Sequence, residues 1–251
     1  MLPSQRDLRD TSEFKGRVFD VQPSRDDKSL SYPVRPLLAT AVNPVRKVWR
    51  RGAVLDQGQE GACVGHGVVG ELTSAPAPVR FADIALPAGA PRTQQGMAFW
   101  LYEQAKRIDE YPGTEYSGTS VNAGMKMARS LGLISGWRWG HTMLDLRDAI
   151  ITAGPVVIAI PWFNGMYSAP GGELRVTGSF VGWHCLLVNG YDPALAMNGK
   201  GDREMYRLLN SWGTGWGNYG SAWMEASALS DLLIGWDGEI AVPLGRTLIP
   251  A

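Results

Sequence analysis

Only two cysteines occur in 251 residues, which argues against a disulfide-stapled secreted scaffold and points to a reducing compartment. An excess of charge of one sign is also missing. The 24 basic residues balance the 24 acidic ones, so no net field favours nucleic acid or an anionic membrane, and neither is expected as a partner. No apolar run is long enough to cross a bilayer. The opening Met1-Leu2-Pro3-Ser4-Gln5-Arg6 lacks the apolar stretch of a secretory signal. A cytoplasmic or virion-associated location is therefore expected. Histidine is scarce as well: with three in the chain, each can be weighed singly for proton transfer. What is present is ordinary globular material, 45% hydrophobic and 19% charged, enough for a packed core.

Residues 1–50 are charged, punctuated by proline and weakly periodic, and read as an extended arm or short prosegment. Residues 51–251 read as one α+β domain with a helical lobe over about 51–153 and a β-rich lobe over about 154–251. Val64, Val68 and Leu72 form one helical stripe after Cys63. Gly65, Gly67 and Gly70 weaken that helix, so close packing must hold it. Residues 74–91, rich in Pro and Ala, read as a long surface loop. Helices are expected over 94–109 and, from Thr119 or Ser120 as cap to Gly132 as stop, over 121–131. A short fourth helix covers 145–153. Val156–Ile160, bounded by Pro155 and Pro161, reads as a buried strand. Further strands fit 183–191, 204–210, 221–224 and 239–242.

Three stretches carry chemistry: Asp56-Gln57-Gly58-Gln59-Glu60-Gly61-Ala62-Cys63, then Gly182-Trp183-His184-Cys185, then Asn210-Ser211-Trp212-Gly213-Thr214-Gly215-Trp216-Gly217. Cys63 stands where a loop becomes a helix, and the free N–H groups there favour a thiolate. Gln57 and the Cys63 N–H would hold an oxyanion. Gly58 and Gly61 suggest that a substrate backbone comes close. His184 alternates with Trp183 and Cys185 along a strand and is the best general base of the three. His66 sits one helical turn beyond Cys63, and His141 has no polar partner nearby in sequence. Asn210 would orient His184, and Trp212 would shield that hydrogen bond from water. A lone strand histidine or turn asparagine is more often structural, so the three contexts carry weight only together.

Competing motifs fail on geometry. Gly215-Trp216-Gly217-Asn218-Tyr219-Gly220 matches a dinucleotide fingerprint, but a strand rather than a helix should follow it. Cys63, His66, His184 and Cys185 could be read as zinc ligands, yet adjacent strand residues face opposite ways. No metal or other cofactor is expected. Cys185 reads as a buried strand thiol.

Taken together, the segments resemble the papain-like (C1) cysteine peptidases, from about Val54 to Val242. The resemblance implies Gln57 as oxyanion donor, Cys63 as nucleophile, His184 as base and acid, and Asn210 as orienting amide. It also implies a two-lobed fold with the site in the cleft. Tyr116-Ser117-Gly118-Thr119-Ser120-Val121 resembles the cleft wall of compact prokaryotic and viral-type members. Gly61, Gly118, Thr119, Trp183 and Trp212 are then the expected substrate contacts, and a peptide or protein the expected substrate. Departures are Val64 where Trp is usual, Glu60 where many secreted members place a disulfide cysteine, and Trp183, which should narrow the cleft. The arm is shorter than the usual inhibitory prosegment and lacks its helical pattern, which weighs against zymogen control and leaves docking on a partner open. The alternatives are a papain-like module retained for structure or binding, and an acyl transferase or amidase using the same thiol.

Overall fold

Helix α1 (Cys63–Leu72) forms against its own composition, three of its ten residues being glycine. A Cβ on Gly65 would fall 2.2 Å from the carbonyl oxygen of Ala98, so the missing side chain lets helix α2 (Gln94–Lys106) pack directly on it. Close packing offsets the conformational cost of each glycine, roughly 1 kcal/mol. The computed structural model describes residues 16–22, 31–38, 42–111 and 116–246; the rest of the 1–50 arm lies outside the described residues.

The remaining helices show why their ends fall where they do. Helix α2 starts at Thr93, whose hydroxyl accepts the Gly96 N–H. It stops short of the expected Asp109, because that carboxylate turns back to accept the hydroxyls of Tyr116 and Thr119. Helix α3 (Val121–Ser130) is capped by the Ser120 hydroxyl, which accepts the Ala123 N–H, whereas Thr119 spends its hydroxyl on Asp109. Helix α4 (Met143–Thr152) begins earlier than expected because Thr142 and Asp145 form a capping box. A short helix α5 (Ala226–Ser230) follows the sheet's edge strand. No helix among the described residues is long and apolar enough to cross a membrane.

The strands are β1 (Lys47–Val48), β2 (Gly136–Gly140), β3 (Val156–Phe163), β4 (Phe180–Met197), β5 (Lys200–Leu209), β6 (Ser221–Glu225) and β7 (Glu239–Leu244). They form one antiparallel sheet of order β2-β7-β3-β4-β5-β6, with β1 added to β4. Two differences from the sequence reading have physical causes. Strand β3 runs through Pro161, because β7 pairs with β3 only at Val157–Ala159. Past that point β3 has one open edge, where a proline forfeits no ladder bond. Strand β2, Gly-Trp-Arg-Trp-Gly, was hidden by its flanking glycines and shortness.

Alternation along β4 divides the interior in two. Leu186 and Val188 join Ile158, Ile160 and Trp162 in one apolar cluster, which α4 and α5 cover through Leu146, Ile150 and Leu229. Cys185 and Leu187 join Val157 and Ala159 in the other, where α1–α3 pack through Val64, Val68, Leu101 and Met125. The fold is α+β, a helical lobe set against a β-rich lobe. Residues 74–91 correct the sequence reading. The segment is irregular but not merely superficial, for Val79, Phe81 and Ile84 are buried in the helical cluster. Arg92 ties it down by donating to the carbonyls of Phe81 and Ile84.

Candidate active site

Cys63 is the first residue of α1 and is fully buried. Its thiol lies against the peptide N–H of Cys185, the residue after His184, so the helix start and strand β4 meet at this sulfur. Gln57 is buried and clamped at both ends of its amide. Its Oε1 accepts the Ser211 hydroxyl at 2.6 Å, and its Nε2 donates to the Glu60 carbonyl at 2.7 Å. The Gln57 N–H also donates to Ser211 O at 2.8 Å. The loop before the thiol is therefore fastened to the segment that follows β5.

That segment carries Asn210. His184 Nε2 lies 2.8 Å from Asn210 Oδ1, and the same oxygen accepts the Ser211 N–H at 2.8 Å. Because an N–H already points at this oxygen, it is the acceptor, and His184 must carry its hydrogen on Nε2. The lone pair is then on Nδ1, which is buried and has no hydrogen-bond partner among the described residues. One imidazole nitrogen is fixed and the other is held ready for a proton. Trp162 and Trp212 pack on the ring at centroid distances of 4.8 and 5.2 Å, shielding the His184–Asn210 bond from water.

Burial sets the charge state. It pushes the Cys63 thiol up to about 11, outweighing the peptide N–H groups that pull it down. Burial also pushes His184 down to about 4, against the opposing hydrogen bond to Asn210. The helix-start effect expected from the sequence exists but is the smaller one. Thiol and imidazole are both neutral in this state.

Part of the cover over His184 comes from the chain itself. Residues 16–22 cross the site between the cleft-wall segment 116–121 and the start of β4. Asp20 pairs in parallel with Trp183. Val21 N–H donates to Trp183 O at 3.4 Å, and Gln22 N–H to Thr119 O at 3.3 Å. The Asp20 carboxylate accepts the Ser117 and Gly118 N–H groups at 2.7 and 3.2 Å. Arg17 donates to Asp56 at 2.7 Å and to the Gly58 carbonyl. Two glycines make the crossing feasible: a Cβ at Gly118 would fall 1.5 Å from Asp20 O, and one at Gly182 2.3 Å from Phe19 O. Phe19 sits edge-on to His184 at 5.5 Å.

The residues expected from the sequence are thus placed as follows. Asn210 holds His184, Gln57 is tied to Ser211 beside Asn210, and Cys63 lies against the peptide N–H of Cys185, the residue after His184. Gly118, Thr119 and Trp183 meet the crossing segment through their backbones, while the Trp183 ring packs on the helical cluster. At Gly61 the close approach seen is to the protein's own backbone, for a Cβ there would fall 2.6 Å from Ser117 O. Arg17, Phe19, Asp20, Trp162 and Tyr167 escaped the sequence reading. The first three lie in the aperiodic arm, and Trp162 follows a proline taken for a strand end. His66 spends both nitrogens elsewhere, at 2.7 Å from Ala62 O and 3.1 Å from Gln95 Nε2.

No family model matches the chain, and no curated protein matches it in sequence. Solved structures do match. Xylellain, a cysteine protease from Xylella fastidiosa, is 16% identical over 93% of this chain and 98% of its own, with a TM-score of 0.64. Procathepsin B S9 from Trypanosoma congolense is 14% identical over 94% of this chain and 89% of its own, at 0.61. Procathepsin L 3 from the Tenebrio molitor larval midgut is 18% identical over 93% and 77%, at 0.52. The fold is that of the papain-like cysteine proteases.

Proposed function

We propose that the chain is a cysteine peptidase whose described state is latent. Support comes chiefly from one observation: Asn210 fixes the hydrogen of His184 on Nε2 and leaves Nδ1 buried with no hydrogen-bond partner among the described residues. In the active form Nδ1 takes the Cys63 proton and the sulfur attacks a peptide carbonyl. The Cys63 N–H and the Gln57 amide hold the resulting oxyanion. As the C–N bond breaks, His184 returns the proton to the leaving amine, leaving a thioester on Cys63. Water then attacks the thioester with His184 as base, releasing the acid and the thiol. Residues 16–22 oppose all of this by filling the cleft and drying the thiol. Displacing or removing them is the activating step.

The test uses the full chain with Phe19→Ala to loosen the crossing segment. Intact mass after brief exposure to an epoxide thiol reagent, with peptide mapping, reads Cys63 reactivity, and a mixed peptide library reads turnover. Labelling confined to Cys63 that falls by roughly 10²-fold or more on adding His184→Ala is expected, as for loss of a general base. Slow labelling of Cys63 and Cys185 alike, indifferent to His184 and without turnover, would sink the proposal and leave a binding module.

A further inference from the structure

The chain's only two cysteines are far apart in sequence and neighbours in the fold. Cys63 and Cys185 are both fully buried and belong to the same apolar cluster of the helical lobe. Strand alternation sends the Cys185 side chain towards α1, away from the side that His184 faces. A Cβ on Gly67 would fall 2.8 Å from Cys185 Sγ, so that sulfur lies against α1 one turn beyond Cys63. Helix positions four apart carry their Cβ atoms roughly 5–6 Å from each other on one face. The Cys63 thiol in turn lies against the Cys185 N–H. The pair is thus placed from both ends: one sulfur meets its partner's backbone, the other the helix turn its partner begins.

Gly67 is what admits the second sulfur, since any side chain there would collide with it. Beside Cys185 lies a cavity of about 30 Å³, lined also by His66, Gly67, Asn210 and Ser211. A space of that size holds about one water molecule, which is room for a sulfur to change rotamer.

We propose that Cys185 is a resolving thiol, which closes a reversible disulfide on Cys63 when the nucleophile is oxidised by hydrogen peroxide. The proposal rests on the peptidase reading above only for the source of the Cys63 thiolate. That thiolate attacks one peroxide oxygen, the O–O bond breaks, and hydroxide leaves as water with the proton held by His184. Cys63 is then a sulfenic acid. The Cys185 sulfur attacks it, the S–S bond forms, the S–O bond breaks, and the oxygen leaves as water with the Cys185 proton. Two thiols lose two electrons and two protons, and one peroxide becomes two waters. Without a resolving thiol, the sulfenic acid would go on to sulfinic and sulfonic acids, which thiol reductants do not reverse. Burial holds both thiols protonated in the described state, so the sensitivity arises only once the cleft opens and His184 takes the Cys63 proton.

The experiment exposes the full chain carrying Phe19→Ala to hydrogen peroxide, beside the same chain with Cys185→Ala added. Intact mass and non-reducing peptide mapping should show the Cys63 and Cys185 peptides joined within one chain, with the loss of two hydrogens. Epoxide labelling of Cys63 should vanish and return with dithiothreitol. With Cys185→Ala, Cys63 should instead gain two or three oxygens, and the labelling recovered by dithiothreitol should fall at least tenfold. Absence of the linked peptide, whether Cys63 gains oxygens or stays reduced, overturns the proposal. A linked peptide in a chain that cuts no peptide before oxidation would keep the pair and discard the peptidase reading; turnover without the link would do the reverse. Should Phe19→Ala not fold, Arg17→Ala loosens the same crossing segment, and the linked peptide must still form.

Discussion

Two buried imidazoles neighbour Cys63, one on the helix it begins and one just before the Cys185 N–H that meets its thiol, and their difference locates the chemistry better than their likeness. His66, one turn along α1, and His184, on β4, are both almost fully buried, and burial pushes each down to about 4. Each packs against aromatic rings, His66 on Phe99 at 4.8 Å. His66, however, gives Nδ1 to Ala62 O and Nε2 to Gln95, so both nitrogens serve structure. His184 is tied at Nε2 alone. A buried polar atom left unmade costs about 1–3 kcal/mol, and a fold keeps such a cost where the atom has something else to do. Unspent bonding capacity, rather than pKa, separates the two.

The sharpest way to break that comparison is to free the second nitrogen of His184. Asn210→Ala removes the acceptor that fixes the tautomer, so the hydrogen can move to Nδ1 and the ring can turn. In the Phe19→Ala background, peptide turnover should drop by roughly 10²-fold, the scale of general acid–base catalysis, with KM little changed. Steady-state kinetics of the two variants side by side checks this. Turnover kept within threefold would mean that the Asn210 bond only packs the ring.

A smaller effect is expected where the crossing segment is latched. Arg17 joins Asp56 and the Gly58 carbonyl beside Gln57, and its guanidinium lies over Trp212 at 5.9 Å. Its side chain is 9% exposed but that of Asp56 is 50% exposed, so the ion pair itself is only partly shielded from solvent. Arg17→Ala in the otherwise native chain should raise the Cys63 labelling rate several-fold by populating an open cleft. An unchanged rate would show that Phe19 and Asp20 suffice to hold the segment.

The sequence made the site residues legible and left their cover invisible, for physical reasons. Cys63 begins α1, Asn210 follows β5, Gln57 lies in the loop before α1 and His184 lies within β4, and flanking Gly and Trp leave local signatures at these positions. The α+β layout followed from helical periodicity before Gly154 and β-branched runs after it. Residues 16–22 form neither helix nor regular strand. Their order comes from long-range contacts such as Asp20 to Ser117 and Gly118, 97 and 98 positions away, which no local pattern encodes. The buried loop residues Val79, Phe81 and Ile84 were masked in the same way by the prolines around them.

The smallest effect tests the structural side of the comparison by pH. An unfolded histidine binds a proton below about 6.5, but each buried one resists until about 4. The depressed pKa therefore contributes stability above pH 6.5 that is lost as pH falls towards 4, on the order of 3 kcal/mol per histidine. Glu71 acts in the opposite sense. Burial raises its carboxyl to about 7 in spite of Arg246, so its contribution is present below about pH 4.5 and is lost as pH rises to 7. Carboxylates held low, such as Glu173 among its arginines, add their loss only below about pH 4.5. Between pH 4.5 and 6.5 two histidines thus oppose one glutamate, and the native chain should weaken on acidification. His66→Gln keeps a polar amide in place of the ring and leaves one histidine against Glu71, so its profile across that window should flatten. Urea unfolding at pH 4.5, 5.5 and 6.5 measures both slopes. Peptide turnover in the Phe19→Ala background should be unaffected by His66→Gln, since that ring's nitrogens are already committed to Ala62 and Gln95. Parallel slopes in the two proteins would show that His66 is protonated in the folded chain and that the two imidazoles differ in charge as well as in bonding.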